Sequence, residues 1–226
     1  FIGGRYSVLS EAGMLPAALM GLDLSRFRNL KKFINNKKFV SSLIQNVASI
    51  YTLSSMGLKN SVILNYDSHL NDLSYWYQQL IGESLGKKGK GITPIVSPVP
   101  KGHHSVLQLY LDGPKDKFFT FFSSSNENDK YKVSGKIIPS TMSFLKNKKL
   151  NSIIQAQCNA TKNIFNAQGI PFRHFVFQKK DEEELGMFFT FFVLETILLA
   201  QIMNINPFDQ PAVEKIKIET KKILSQ

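Results

Sequence analysis

Two rhythms of apolar and polar residues run through this chain. Short apolar runs at Ser61–Tyr66, Gly91–Val96, Lys117–Phe122 and Pro171–Gln178 are bounded by polar or turn residues and predict strands. Lys117–Phe122 has no polar alternation, as expected of a strand buried on both faces. Between these runs the apolar positions recur every three or four residues. Leu70, Leu73, Trp76, Tyr77, Leu80 and Ile81 predict a core-facing helix that Asp67 or Ser68 can cap. Further helices are predicted over Glu11–Leu22, with Ser10 as cap and Pro16 kinking it or delaying its start, and over Ser41–Met56. An amphipathic basic connector occupies Arg26–Lys38, and His103 or His104 opens a short helix. Pro139–Ala167 and Asp181–Met203 predict long helices, and Pro211 starts a last one, while Ser123–Val133 is a polar loop. Strands alternating with helices imply a parallel sheet covered on both faces, with ligands beyond the carboxyl ends of its strands.

Composition adds bounds. The chain has 226 residues, 43% of them hydrophobic and 12% aromatic, enough for a substantial core and unlike a disordered segment. It opens on Phe1 and not on Met, so it reads as a piece of a longer polypeptide. One cysteine, Cys158, rules out an internal disulfide framework and suits a reducing cytoplasm. The most apolar stretch, Met187–Ile202, is short for a bilayer span and contains Glu195, so a buried helix and no membrane role is expected. The formal charge is +11. Its lysines are dispersed on what read as solvated faces, and a basic surface also hastens encounter with anionic metabolites. A nucleic-acid binder would gather arginine and aromatics into one stripe, so no nucleic-acid partner is expected.

Zinc, P-loop, dinucleotide and nucleophile-elbow motifs are all absent from the sequence. What stands out is the end of the helix after the first strand, where Gln78 and Gln79 are followed by Glu83 between Gly82 and Ser84. Two amides and a carboxylate there are either surface polarity or a half-buried general base. Arg5, behind a glycine pair that lets backbone approach something closely, is a surface cation or a charge held for a site. His104 is a helix cap or an acid–base group, Lys217 a solvated lysine or part of a site, and Gln210 beside the last helix is equally open.

Together these residues resemble the glucose-6-phosphate isomerase family. Gly3–Ser7 with Ser10-Glu11-Ala12-Gly13 resembles its first signature, and Phe208–Lys217 its second. Tyr77-Gln78-Gln79 through Glu83-Ser84 is similar to its carboxylate segment, and Gly102–Ser105 with Gln108-Leu109 to its histidine segment. Ala212 stands where the family usually has Gly, and His103 where Gln is common. The resemblance implies an SIS-type (sugar isomerase) αβα sandwich with a parallel sheet of roughly five strands. It implies an arm over 1–40, an SIS domain over 41–203 and a catalytic tail over 204–226, with a preceding phosphate-gripping SIS domain missing. It implies Glu83, His104, Lys217 and Arg5 as catalytic residues, Gln79 and Gln210 as substrate-binding ones, a sugar phosphate substrate and no metal or cofactor. It also implies a homodimer in which the histidine serves the neighbouring subunit's site. A sugar-phosphate-binding module without catalysis is the other reading.

Overall fold

The computed structural model describes residues 2–125, 131–136 and 138–225. In chain order, a 3₁₀ turn at Gly4–Leu9 leads to helices α1 (Glu11–Leu19), α2 (Leu24–Phe27), α3 (Leu30–Ile34) and α4 (Lys37–Ser55). Then come β1 (Asn60–Asn65), α5 (Asn71–Leu85), β2 (Thr93–Pro98), α6 (Lys101–Ser105), α7 (Leu107–Asp112) and β3 (Lys117–Ser124). The chain closes with α8 (Leu150–Ala167), β4 (Phe172–Phe177), α9 (Glu182–Ile202) and α10 (Pro211–Leu224).

The strands form one sheet in the order β2-β1-β3-β4, every pair parallel. Among the described residues the sheet has four strands, not the roughly five that the resemblance implies. Alternation along the strands divides the core. Ile63, Phe118, Phe122 and Phe177 pack under α4, α5 and α9, while Val62, Leu64, Phe119 and Phe121 pack with Tyr110, Cys158 and Phe165 of α7 and α8. These are the three layers expected of an α/β domain.

Several boundaries differ from expectation. Asn36 accepts from the amides of Lys38 and Phe39, so α4 starts four residues earlier than Ser41. The predicted helix over Pro139–Ala167 is a 3₁₀ turn at Ser140–Leu145 followed by α8; Asn147 between them has φ +61, which no helix accommodates. Part of the predicted Ser123–Val133 loop, residues 126–130, lies outside the described residues. Helix α1 keeps Pro16 inside it and ends before Gly21 at φ +79. Helix α9 reaches 21 residues because Asp181 caps it, which makes it long and apolar enough to cross a membrane, contrary to the estimate from Met187–Ile202 alone. It is nonetheless a core helix here. Its Phe188, Phe191, Phe192 and Leu199 are buried against the sheet, and a Cβ at Gly186 would lie 2.3 Å from the Phe27 carbonyl, so α2 seats directly on it.

Beneath α5, Arg173 on β4 meets the fully buried Glu195 of α9 through both terminal nitrogens. The same guanidinium donates to the Tyr77 hydroxyl at 2.7 Å, Thr120 Oγ1 at 2.9 Å and Asn46 Oδ1 at 3.2 Å. Burial opposes its charge most strongly, but Glu195 and Tyr77 together outweigh burial, and the proton is held more tightly than usual.

On the opposite face, His174 Nε2 lies 2.8 Å from Ser123 Oγ and Nδ1 lies 3.3 Å from Lys162 Nζ. Lys162 can only donate, so Nδ1 accepts and Nε2–H points at the serine. Burial, and then Lys162, push the imidazole down to about 4. A histidine held neutral in the fold but protonated near 6.5 when unfolded contributes stability that is complete above 6.5 and lost as pH falls towards 4. Discounted for partial exposure, the loss is on the order of 1–3 kcal/mol. Urea unfolding at pH 7 and pH 4.5 is expected to show this drop, and His174→Gln to reduce it.

Candidate active site

The site is assembled from three stretches far apart in sequence. The 3₁₀ turn at Gly4–Leu9 carries Arg5, the last two turns of α5 carry Gln79, Glu83 and Ser84, and the connector from α9 to α10 carries Pro207–Gln210. Arg5 is 1% exposed, and that number matters because a buried guanidinium needs an acceptor for each donor. It has them. Nε donates to Ser84 Oγ at 2.9 Å, Nη1 to Glu83 Oε2 at 3.1 Å and to Gln210 Oε1, and Nη2 to the carbonyls of Pro207 at 2.7 Å and Asp209 at 3.1 Å. All five N–H groups are used, and one side chain ties the three stretches together.

Neighbours hold the guanidinium in place. Trp76 Nε1 donates to the Arg5 carbonyl at 3.0 Å. The Tyr6 hydroxyl donates to Ser84 Oγ at 2.8 Å and lies 3.3 Å from the Pro207 carbonyl. Burial pushes the Tyr6 phenol up, keeping it a donor. Lys87 pins the connector from the other side, with Nζ 2.9 Å from Asp209 Oδ1 and 2.5 Å from the Asn206 carbonyl. Neither Gly3 nor Gly4 is demanded by packing: a Cβ at Gly3 would meet only Arg5 Nη1 at 3.7 Å, and one at Gly4 nothing within 4 Å.

Glu83 is half-buried, as one of its two sequence readings held. One oxygen takes the Arg5 contact, and Gln79 Nε2 donates to the other at 2.9 Å. Beside it a cleft of about 370 Å³ is lined by Glu83, Lys87, Lys88, Gln210 and Ala212, a size that admits a small metabolite. Gln78 turns away and donates to the Pro94 carbonyl at 3.0 Å.

Arg5, Gln79, Glu83 and Gln210 are therefore brought together, and His104 and Lys217 are not. His104 is exposed on α6 and hydrogen-bonds to none of the four. Its neighbour His103 turns inward, with Nε2 2.8 Å from the Tyr66 hydroxyl. That hydroxyl spends its proton on Thr161 Oγ1 at 2.9 Å, so His103 is the donor and carries its proton on Nε2. Lys217 is exposed on α10 and pairs with Glu214 at 2.6 Å, and no residue of α10 is buried. Sequence reasoning gave no role to Tyr6, Ser84, Trp76 or Lys87. The serine inside the Glu83 segment was the one local hint, and the others act through contacts no local pattern encodes.

Arg5→Lys tests this arrangement. An ammonium offers three donors where five acceptors wait. The substitution is expected to cost about 1–3 kcal/mol in urea unfolding and to speed proteolysis within residues 206–210. An unchanged midpoint and cleavage rate would show that the connector is held by Lys87 alone.

A four-stranded parallel sheet between helical layers, with a carboxylate, a guanidinium and two amides gathered beside a cleft, defines a three-layer α/β domain with a small-molecule-sized site. The phosphoglucose isomerase family model matches residues 1–226, and the chain belongs to that family. It is 32% identical over 231 residues to a protein of Methanocaldococcus jannaschii named glucose-6-phosphate isomerase, covering 100% of this chain and 57% of that protein. With the glucose-6-phosphate isomerase of Mycoplasmopsis synoviae it is 30% identical, covering 96% of this chain and 52% of that protein. The crystal structure of hypothetical protein TT0462 from Thermus thermophilus superposes with a TM-score of 0.87 at 26% identity, covering 99% of this chain and 56% of that one. A glucose-6-phosphate isomerase structure from Chlamydia trachomatis shares the fold at a TM-score of 0.72 and 17% identity, covering 99% of this chain and 47% of that one. The chain thus spans about half the length of these relatives.

Proposed function

We propose that this chain is the catalytic half of a cytoplasmic glucose-6-phosphate isomerase, interconverting glucose 6-phosphate and fructose 6-phosphate through a cis-enediol. The observation that carries the reading is the Arg5 cluster, which sets Glu83, Gln79 and Gln210 around one fully bonded guanidinium. Residues 1–40 supply the arginine, 41–203 form the SIS domain, and 204–226 supply the closing connector and helix.

In this reading Glu83 takes the proton from C2 of the aldose and returns it to C1, and the reverse, so a single carboxylate must reach both carbons. Gln79 holds the carboxylate's far oxygen, which fixes its plane. Arg5 opposes the negative charge that develops on the enediolate oxygen; its charge is delocalised and already oriented, so little reorganises during reaction. Gln210, on the connector side of the guanidinium contact, positions substrate hydroxyls. His104 and Lys217 manage the protons of ring opening. The exposure of His104 on α6 suits its delivery to a second copy in a homodimer, and the unburied α10 suits closure of Lys217 over bound sugar. The chemistry asks for no metal or cofactor. The phosphate is gripped by the domain that the longer relatives have in addition.

The test is an assay with fructose 6-phosphate on this chain alone and on a mixture with the separately expressed N-terminal half of the M. jannaschii relative. Turnover in the mixture only is expected, because binding energy from the phosphate helps drive the chemical step. Sugar phosphate bound by an assembled mixture that does not turn over would instead favour a binding module without catalysis.

A further inference from the structure

The connector after α9 has no ladder of its own. Among the described residues, no backbone N–H donates to the carbonyls of Met203, Asn206, Pro207 or Asp209. A carbonyl without such a partner must find a side chain or water. Here each finds a cation. Arg5 Nη2 donates to Pro207 and Asp209, Lys87 Nζ to Asn206, and Lys90 Nζ to Met203 at 2.8 Å. Met203 is the C-cap of α9, an end at which the helix dipole favours positive charge.

Lys87 and Lys90 flank one tight turn between α5 and β2. Lys90 N donates to the Lys87 carbonyl at 2.9 Å, and the two residues form an isolated antiparallel bridge. The corner residues Lys88 and Gly89 have φ +53 and +70, the hand that a two-residue hairpin turn requires. The turn is folded hard against the end of α5. Gly91, just beyond it, has φ +122, and a Cβ there would lie 2.7 Å from the Leu85 carbonyl. Both ammonium groups are therefore carried on a short, fixed extension of the helix that carries Glu83. What separates Lys90 from an ordinary lysine at a helix end is this placement: it ties the end of α9 to the end of α5.

The geometry points to Lys90 as a positioning residue for the isomerisation, one that sets where the connector delivers its acceptors to Arg5. The inference rests on the half-enzyme reading above. Gln210 Oε1 and the Pro207 and Asp209 carbonyls, all on this connector, surround the guanidinium. If the connector shifts, those bonds are lost or re-aimed, and the positive charge is no longer fixed before the enediolate forms. Arg5 and Lys87 cannot report this cleanly, because Arg5 contacts Glu83 and Lys87 lines the cleft. Lys90 is absent from the cleft lining and its ammonium bonds to the Met203 carbonyl, so its effect on chemistry must pass through the connector.

The test uses Lys90→Met and Lys90→Arg in this chain, each mixed with the N-terminal half of the M. jannaschii relative. Methionine keeps a long flexible stem and drops the ammonium, whereas arginine keeps the charge. Lys90→Met is expected to lower kcat about tenfold while the KM for fructose 6-phosphate stays within about twofold, and Lys90→Arg to recover most of the lost rate. Calorimetric titration with a five-carbon sugar hydroxamate 5-phosphate, a planar analogue of the enediolate, separates positioning from damage to the fold. Positioning predicts an unchanged number of sites and binding about tenfold weaker in Lys90→Met, because the enediolate-like charge depends most on Arg5. Fewer sites of unchanged affinity, or an unchanged kcat, would overturn the proposal and leave the half-enzyme reading standing. If the unsubstituted mixture neither turns over fructose 6-phosphate nor binds the hydroxamate, the two readings fall together.

Discussion

Glu83→Gln is expected to abolish measurable isomerisation in the assembled halves, lowering kcat by about a thousandfold, within the usual range for loss of a positioned base. The substitution is close to isosteric. Its carbonyl oxygen can still accept from Arg5 Nη1 or Gln79 Nε2, the two donors that now hold the carboxylate at 3.1 and 2.9 Å. The amide that replaces the second oxygen faces a donor and can neither accept from it nor take a proton from carbon. Substrate affinity should therefore change little while turnover collapses, since the lost interaction belongs to the proton-transfer step. Steady-state kinetics with fructose 6-phosphate, together with loss of solvent deuterium uptake at the sugar carbons, measures both. A variant that kept even a tenth of the activity would move the base elsewhere and end the reading of this cluster as catalytic.

The largest effect on stability is expected at Glu195. This carboxylate is completely buried, and Arg173 is its charge partner, meeting both oxygens. Glu195→Leu leaves the guanidinium with Tyr77, Thr120 and Asn46 but no counter-charge, and should cost about 3–5 kcal/mol in urea unfolding. Arg173→Met in the same chain should recover much of that, because a buried pair replaced as a pair by apolar groups is often near neutral. Failure of the double variant to recover would mean that the hydrogen bonds to Tyr77 and Asn46, and not the charge pair, carry the stability. The network also bears on the site. Tyr77 accepts from Arg173 and sits on α5 six residues before Glu83, so the single variant is expected to disturb the Gln79–Glu83 contact as well.

Every strand of the sheet was legible in the pattern of residues: Lys117–Phe122 because a parallel strand buried on both faces is a continuous apolar run, and Pro171–Gln178, an edge strand that carries Arg173 and His174, because aromatic and β-branched residues follow a proline between polar turns. Helix α5 was legible for a similar reason, its apolar stripe being long and regular. The boundaries that moved did so for local reasons: Asn36 captured two amides and lengthened α4, and Asn147 broke what periodicity alone had joined. Among the described residues the sheet has four strands where the resemblance implied roughly five.

Of the site, sequence determined its residue types and order: an arginine behind two glycines, a glutamate four residues after a glutamine, a histidine after the second strand, and a glutamine and lysine at the last helix. That much is local, written in short motifs. Only the tertiary structure decided that Arg5 would be buried, with all five of its donors satisfied by Ser84, Glu83, Gln210 and two carbonyls, and that His104 and Lys217 would stand apart from it. The physical reason is the separation involved. A guanidinium loses its water only when acceptors from residues 78 and more positions away arrive around it at once. Such a coincidence is a property of how β1, α5 and the connector after α9 pack, and no stretch of the chain contains it alone.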